Sequence, residues 1–317
     1  MLALRRADEI YEIFGQIENG TFYGRWHFSF DSYHDPRFIQ FGTLRVFNDD
    51  TLSPGAIWPL HPDSGFEVVT YCADGESRHA DEYGTGGESH KGWVQRITVG
   101  NRMVHSEINN RVDEWMRFIQ MWFLPDKVNL KPAVQQKRVE REERSNRFLA
   151  LVSNQDAQAL TIHSEAEVYA SYLQRDHTAA FSPRDQWGVY LYLLEGGPIQ
   201  VNGQRLAALD VVMAINEKQL YVTAESDAEL LLIHDGAINQ CVRPKCEPCQ
   251  RHSNRKQLFR PGDYPGANCL PGNLSDLQTY HQRKRRRDLR RAGFCTGKKE
   301  PISQPQPGPN PGLGLCL

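Results

Sequence analysis

The first 236 of the 317 residues contain one cysteine, Cys72, so no disulfide framework is available there and a reducing, cytoplasmic setting suits the chain. No uninterrupted apolar stretch approaches the roughly 20 residues that span a bilayer, so a membrane-spanning protein is not expected. The opening MLALRRADEI is broken by Arg5, Arg6, Asp8 and Glu9 before it reaches signal-peptide length, and no export is expected either. An excess of one charge sign is also missing, since 37 Lys+Arg against 39 Asp+Glu give a net charge of -2. That balance is the sum of two unlike parts. Residues 237–317 hold 15 basic and 5 acidic side chains, a net of +10, which leaves -12 for residues 1–236. The same last 81 residues contain one Val and two Ile, too few core formers to offset the entropy of ordering them. Residues 1–236 are therefore the expected globular part and 237–317 a disordered tail.

Long helical periodicity is absent as well, and what replaces it is a rhythm of short strands. FIQFGTLRVF, FEVVTYC, WVQRITV and MRFIQMWFL are separated by Gly, Pro and Asn/Asp turns, an all-β pattern. Trp93, Gln95, Ile97 and Val99 alternate with Val94, Arg96 and Thr98, as in a strand with one face on a core. Residues 126–146 are strongly charged and poor in large apolar groups, which marks a connection between two units. Residues 147–236 then resume the strand pattern, with Asn202-Gly203 as a hairpin turn. YCADG at 71–75 is echoed by YLLEG at 192–196, a weak internal repeat that suggests two β-barrel-like halves in tandem.

Chemistry concentrates in the first half. Side chains two apart on a strand point the same way, so His61 with Asp63 and His105 with Glu107 each form a pincer. Two pincers on neighbouring strands make a cup of imidazoles and carboxylates, a donor set suited to a divalent transition metal. Two His with one carboxylate is the arrangement of non-haem iron oxygenases, and zinc or manganese are further candidates. Ordinary surface strands are also rich in His, Asp and Glu. His79 and His90 lie near the Gly84–Gly87 turns, where solvent exposure is expected, and His163, His177 and His234 show no two-residue pairing. Cys72, without a CxxC partner, reads as a small buried hydrophobe.

HFSFDSYHDP at 27–36, FGTLRVFNDD at 41–50, LSPGAIWPLHP at 52–62, VQRITVG at 94–100, VHSEIN at 104–109 and QMWFLPD at 120–126 together closely resemble the pirin family of bicupins. The resemblance runs from about residue 3 to about residue 236. It implies two tandem cupin, jelly-roll type β-barrels: an N-terminal cupin over 1–125 and a C-terminal cupin without metal ligands over 147–236. It further implies one metal ion, commonly iron, bound by a His-x-His pair and a later His-x-Glu pair. His61, His105 and Glu107 match those positions, whereas Asp63 stands where the family has His. Three site models stay open: two His with two carboxylates, favouring iron or manganese; a triad of His61, His105 and Glu107; or a site without metal. Glu67 is a further candidate carboxylate, and Ni, Cu and Zn remain alternatives to Fe(II).

Some family members resemble quercetin 2,3-dioxygenases, which open a flavonol ring with O2, while others are regulators without a clear substrate. On the first reading Glu107 or Glu67 takes the flavonol hydroxyl proton, and Trp58 and Phe66 offer apolar walls. On the second the chain is a non-enzymatic, metal-dependent regulatory binding protein. In the tail, Cys241, Cys246 and Cys249 with His252 or Cys269 suggest zinc, and RKRRRDLRR at 283–291 suggests nucleic acid or a nuclear address. The family-like sequence stops near Gly236, and the composition beyond it reads as a late acquisition or a shifted reading frame without biochemical function.

Overall fold

The computed structural model describes residues 1–236; the expectations for the tail, its zinc cluster and its basic run lie outside them. The first part of the chain forms β1 (Leu2–Arg5), β2 (Tyr11–Ile17), β3 (Gly20–Trp26), β4 (Leu44–Leu52), β5 (Ile57–Asp63), β6 (Glu67–Asp74) and β7 (Glu76–Asp81). It continues through β8 (Gly87–His90), β9 (Val94–Thr98), β10 (Met103–Asn109) and β11 (Met116–Phe123). The second part forms β12 (Ala133–Lys137), β13 (Leu149–Val152), β14 (Ala166–Leu173), β15 (Thr178–Phe181) and β16 (Gly188–Gly196). It ends with β17 (Ile199–Val201), β18 (Gln204–Leu206), β19 (Val211–Ile215), β20 (Leu220–Ala224) and β21 (Ala228–Asp235). Among the described residues the only helical pieces are the 3-10 turns Ala7–Glu9 and Glu142–Arg144, and no helix is long and apolar enough to cross a membrane.

The strands pair into two matching sets of sheets. The first half has a seven-stranded sheet, β12-β9-β6-β11-β4-β3-β2, and a four-stranded sheet, β5-β10-β7-β8. The second has β1-β19-β16-β21-β14-β13 and β15-β20-β17-β18. Read in parallel, the two orders correspond strand by strand except for β2, an extra edge strand of the first half, so the described residues form two tandem cupin barrels. The echoed pentapeptides end β6 and β16, and both terminate in a glycine at left-handed φ, +76° at Gly75 and +77° at Gly196. The sheet edges are exchanged: β1, from the start of the chain, completes the second half's sheet against β19. β12, inside the charged connection, completes the first half's sheet against β9.

The central strands of the larger sheets, β6, β11 and β21 among them, are buried on both faces, because the two barrels pack sheet against sheet. On β11, Ile119, Met121 and Phe123 face a core shared with Val168, Tyr190, Tyr192 and Leu231 of the second half. Phe118 and Trp122 point the other way, into the first barrel. Each such large apolar side chain contributes about 1.5–3 kcal/mol on burial. A buried ion pair of the first half is tied to the second across the shared core. Arg117 Nε donates to Asp49 Oδ1 at 2.7 Å, and the Tyr192 hydroxyl donates to Asp49 Oδ2 at 2.6 Å. Burial alone would raise the Asp49 carboxyl, but the Arg117 guanidinium outweighs it and holds the group down at about 2.

Candidate metal centre

The first barrel's interior is apolar at both ends and polar between them. Ile13, Phe22, Leu52 and Met116 fill one end, and Val46, Phe66, Val68 and Trp122 the other. Between them, Gln120 on β11 lies in register with Asn48 on β4 and Thr70 on β6, and Thr70 with Gln95 on β9. This row of four buried polar side chains crosses the seven-stranded sheet on one face.

The facing four-stranded sheet carries the two pincers. β5 alternates exposed Leu60 and Pro62 with buried His61 and Asp63, and β10 buries Met103, His105 and Glu107. His61 and His105 are direct antiparallel partners, with ring centroids 4.5 Å apart. Ligand atoms of His61, His105 and Glu107 lie within 4.8 Å of one another. Asp63 is not in that group of three, yet its Oδ2 is 3.0 Å from His105 Nε2 and 4.0 Å from His61 Nε2. His61 Nδ1 donates to the Pro59 carbonyl at 2.8 Å, which leaves Nε2 as its ligating nitrogen.

Two polar atoms of the cup, Asp63 Oδ1 and His105 Nδ1, are buried without a hydrogen-bond partner. Burial would lower the His105 imidazole, but Glu107 and then Asp63 outweigh it and raise it to about 8. Burial would raise the Glu107 carboxyl, and His105, His61 and His79 reverse this, keeping it below its ordinary value. The donors present, imidazoles and carboxylates converging in a buried cup, fit a divalent ion.

The second barrel has no counterpart. By strand order and register, the positions of His61 and His105 correspond to Ala179 and Val222, and those of Asp63 and Glu107 to Phe181 and Ala224. All four belong to that barrel's apolar core.

Comparison with known proteins places these observations. The Pirin family model matches residues 10–123, and the quercetinase C-terminal cupin domain matches residues 150–234. A Pseudomonas aeruginosa protein, named provisionally as a quercetin 2,3-dioxygenase, is 36% identical over 225 residues, 70% of this chain and 96% of its own length. The chain belongs to the pirin family. A further relative, the quercetin 2,3-dioxygenase of Escherichia coli K12, is 29% identical over 235 residues, covering 73% of this chain and 97% of its own. A bacterial pirin from E. coli, solved in complex with nickel(II), matches with a TM-score of 0.67 at 26% identity over 74% of this chain and 98% of that one.

Within this pirin fold, several sequence expectations need correction. His79, expected in solvent, is only 5% exposed; its ring lies 5.3 Å from that of His105, and it pairs in register with Glu107. Its Nε2 is 3.1 Å from Asp81 Oδ2, and Asp81 is itself held by Thr85 and the Tyr83 amide. The His79 side chain is buried because it lies on the inward face of β7, beside His105 and Glu107; behind it the loop packs closely, and a Cβ on Gly86 would come within 2.0 Å of the His79 carbonyl oxygen. A cavity of about 560 Å³ opens there, lined by Arg78, His79, Asp81, Gly86 and Glu88. Glu67 is not in the cup: it shares a face of β6 with Val69 and Tyr71 of the shared core and accepts from the His163 amide at 3.4 Å. Phe66 packs on Trp122 and Trp58 edge-on against Phe22, so core packing accounts for both. Cys72 is buried, and burial pushes its thiol up to about 12, as an inert hydrophobe requires.

Proposed function

We propose that this pirin-family chain is a metal-dependent oxidoreductase that opens quercetin-type flavonols with O2, using one divalent ion held by His61, Asp63, His105 and Glu107. The observation that carries the reading is the convergence of His61, His105 and Glu107 within 4.8 Å in the first barrel. Asp63 would be the fourth donor: its Oδ2 lies 3.0 Å from His105 Nε2 and 4.0 Å from His61 Nε2, beside the three convergent ligands and not among them. Two carboxylates beside two imidazoles favour Fe(II) or Mn(II), with Ni, Cu and Zn as alternatives that reconstitution distinguishes.

When bound, such an ion supplies Lewis-acid polarisation of an oxygen ligand and, if redox-active, access to dioxygen chemistry. The chain's own residues do the rest. Glu107, kept ionised by the imidazoles around it, is placed to accept the hydroxyl proton of a flavonol. The apolar ends of the barrel keep bulk water from the cup, which strengthens every charge interaction inside it. The names of the P. aeruginosa and E. coli relatives support the substrate class.

The test is oxygen consumption with quercetin by the purified chain reconstituted separately with Fe(II), Mn(II), Ni(II), Cu(II) and Zn(II). Uptake that needs both metal and flavonol is expected. Stoichiometric metal with no uptake, beside an active control enzyme, would defeat the enzymatic reading. It would favour the non-enzymatic, metal-dependent binding protein that the exchange of a family His for Asp63 allows.

A further inference from the structure

Glu107 is held from the opposite sheet. Gln120 on β11 reaches across the barrel and its Nε2 donates to Glu107 Oε1 at 2.6 Å. The orientation of that amide follows from chemistry, because the Gln120 oxygen receives the Trp122 indole N–H at 2.9 Å. An indole nitrogen only donates, so the amide oxygen must face Trp122 and the NH2 must face Glu107. Trp122 is 1% exposed and is wedged between the Phe66 and Phe30 rings at 5.2 and 5.6 Å, so the anchor itself is immobilised by packing. The other carboxylate oxygen, Glu107 Oε2, accepts no hydrogen bond from the described residues.

We infer that Gln120, locked by Trp122, is a positioning residue that reserves Glu107 Oε1 and so restricts Glu107 to binding an ion through Oε2 alone. The inference rests on the reading of the cup as a metal centre. A carboxylate offers an ion one oxygen or two, and two oxygens fill an additional coordination position. Structural metal sites are closed by protein ligands, whereas catalytic ones keep positions for exogenous molecules. By withholding one oxygen of Glu107, Gln120 keeps such a position open. If Gln120 is removed, Oε1 is left without a donor inside a low-dielectric barrel, and turning it onto the ion is its remaining source of compensation.

The experiment uses the full-length chain loaded with Mn(II), comparing wild type with Gln120→Leu by metal content and by water-proton relaxation, which counts water molecules on the ion. Gln120→Leu is expected to retain one Mn(II) per chain and to lose one bound water. A variant with the wild-type water count, or one that no longer retains Mn(II), overturns the inference. Trp122→Phe, which keeps Gln120 but frees its amide to turn over, is expected to lower the water count in the same direction and decides the matter if Gln120→Leu does not fold. Wild type that takes up no Mn(II), Fe(II) or Ni(II) defeats the metal reading and this inference with it. A loaded wild type with an unchanged variant defeats only the role of Gln120.

Discussion

Metal uptake by the cup has to displace a proton. His105, with Glu107 two residues on and Asp63 at 3.0 Å, titrates in the metal-free chain near 8, so its imidazole is roughly 90% protonated at pH 7. An ion needs the neutral ring. Binding at pH 7 is therefore expected to release about one proton, and apparent affinity to fall about tenfold for each pH unit below 8 as the proton competes. The check is calorimetric titration with Mn(II) in several buffers of different ionisation enthalpy, where the slope of observed heat against buffer enthalpy gives the protons released. Repeating it at pH 6 and 8 gives the affinity ratio, expected to be roughly fiftyfold. No proton release at pH 7, or equal affinity at pH 6 and 8, refutes the argument. A raised His pKa also has a sign for stability: its contribution to the metal-free fold is complete below the unfolded value near 6.5 and is lost as pH rises through about 8.

Three further outcomes follow from named contacts. Asp49→Ala leaves the Arg117 guanidinium buried without its partner and is expected to cost about 3–5 kcal/mol in urea unfolding; a loss below 1 kcal/mol would contradict the buried pair. Because the Asp49 carboxyl is depressed to about 2, its contribution is present above the unfolded value near 4 and fades as pH falls toward 2, so wild type and variant should converge in acid. Asp63→His restores the family's four-donor pattern and is expected to raise Ni(II) affinity relative to Mn(II), measured by competition with a chelator; an unchanged ratio would show that Asp63 is not a ligand.

Much of this centre was legible in the sequence because strand periodicity is strict. His61, Asp63, His105 and Glu107 lie at two-residue spacing, so one-sided presentation followed from extended backbone alone. Glu67 was a candidate by analogy with other cupins, and periodicity could not correct it because β6 is buried on both faces. In such a strand apolar residues run continuously, and alternation no longer tells the barrel interior from the core shared between halves. His79 was hidden by the glycines after it, which read as an exposed turn although the strand before them turns this side chain inward, beside His105 and Glu107. Its signal was there in the pattern Ser77, His79, Asp81 against Arg78 and Ala80. Gln120 left a comparable trace, a lone amide at the inward position between Phe118 and Trp122. The exchange of β1 and β12 between sheets left no local trace, since it depends on contacts more than 200 residues apart in the case of Leu2 and Ala214.

Elemental analysis of the purified chain decides whether one ion binds in the first barrel. Wild type, as isolated or after reconstitution with Fe(II) or Mn(II), should carry one equivalent of a divalent metal per chain, and His105→Ala, folded by circular dichroism, should carry none. Metal at background level in wild type, or a full equivalent retained by His105→Ala, would contradict it.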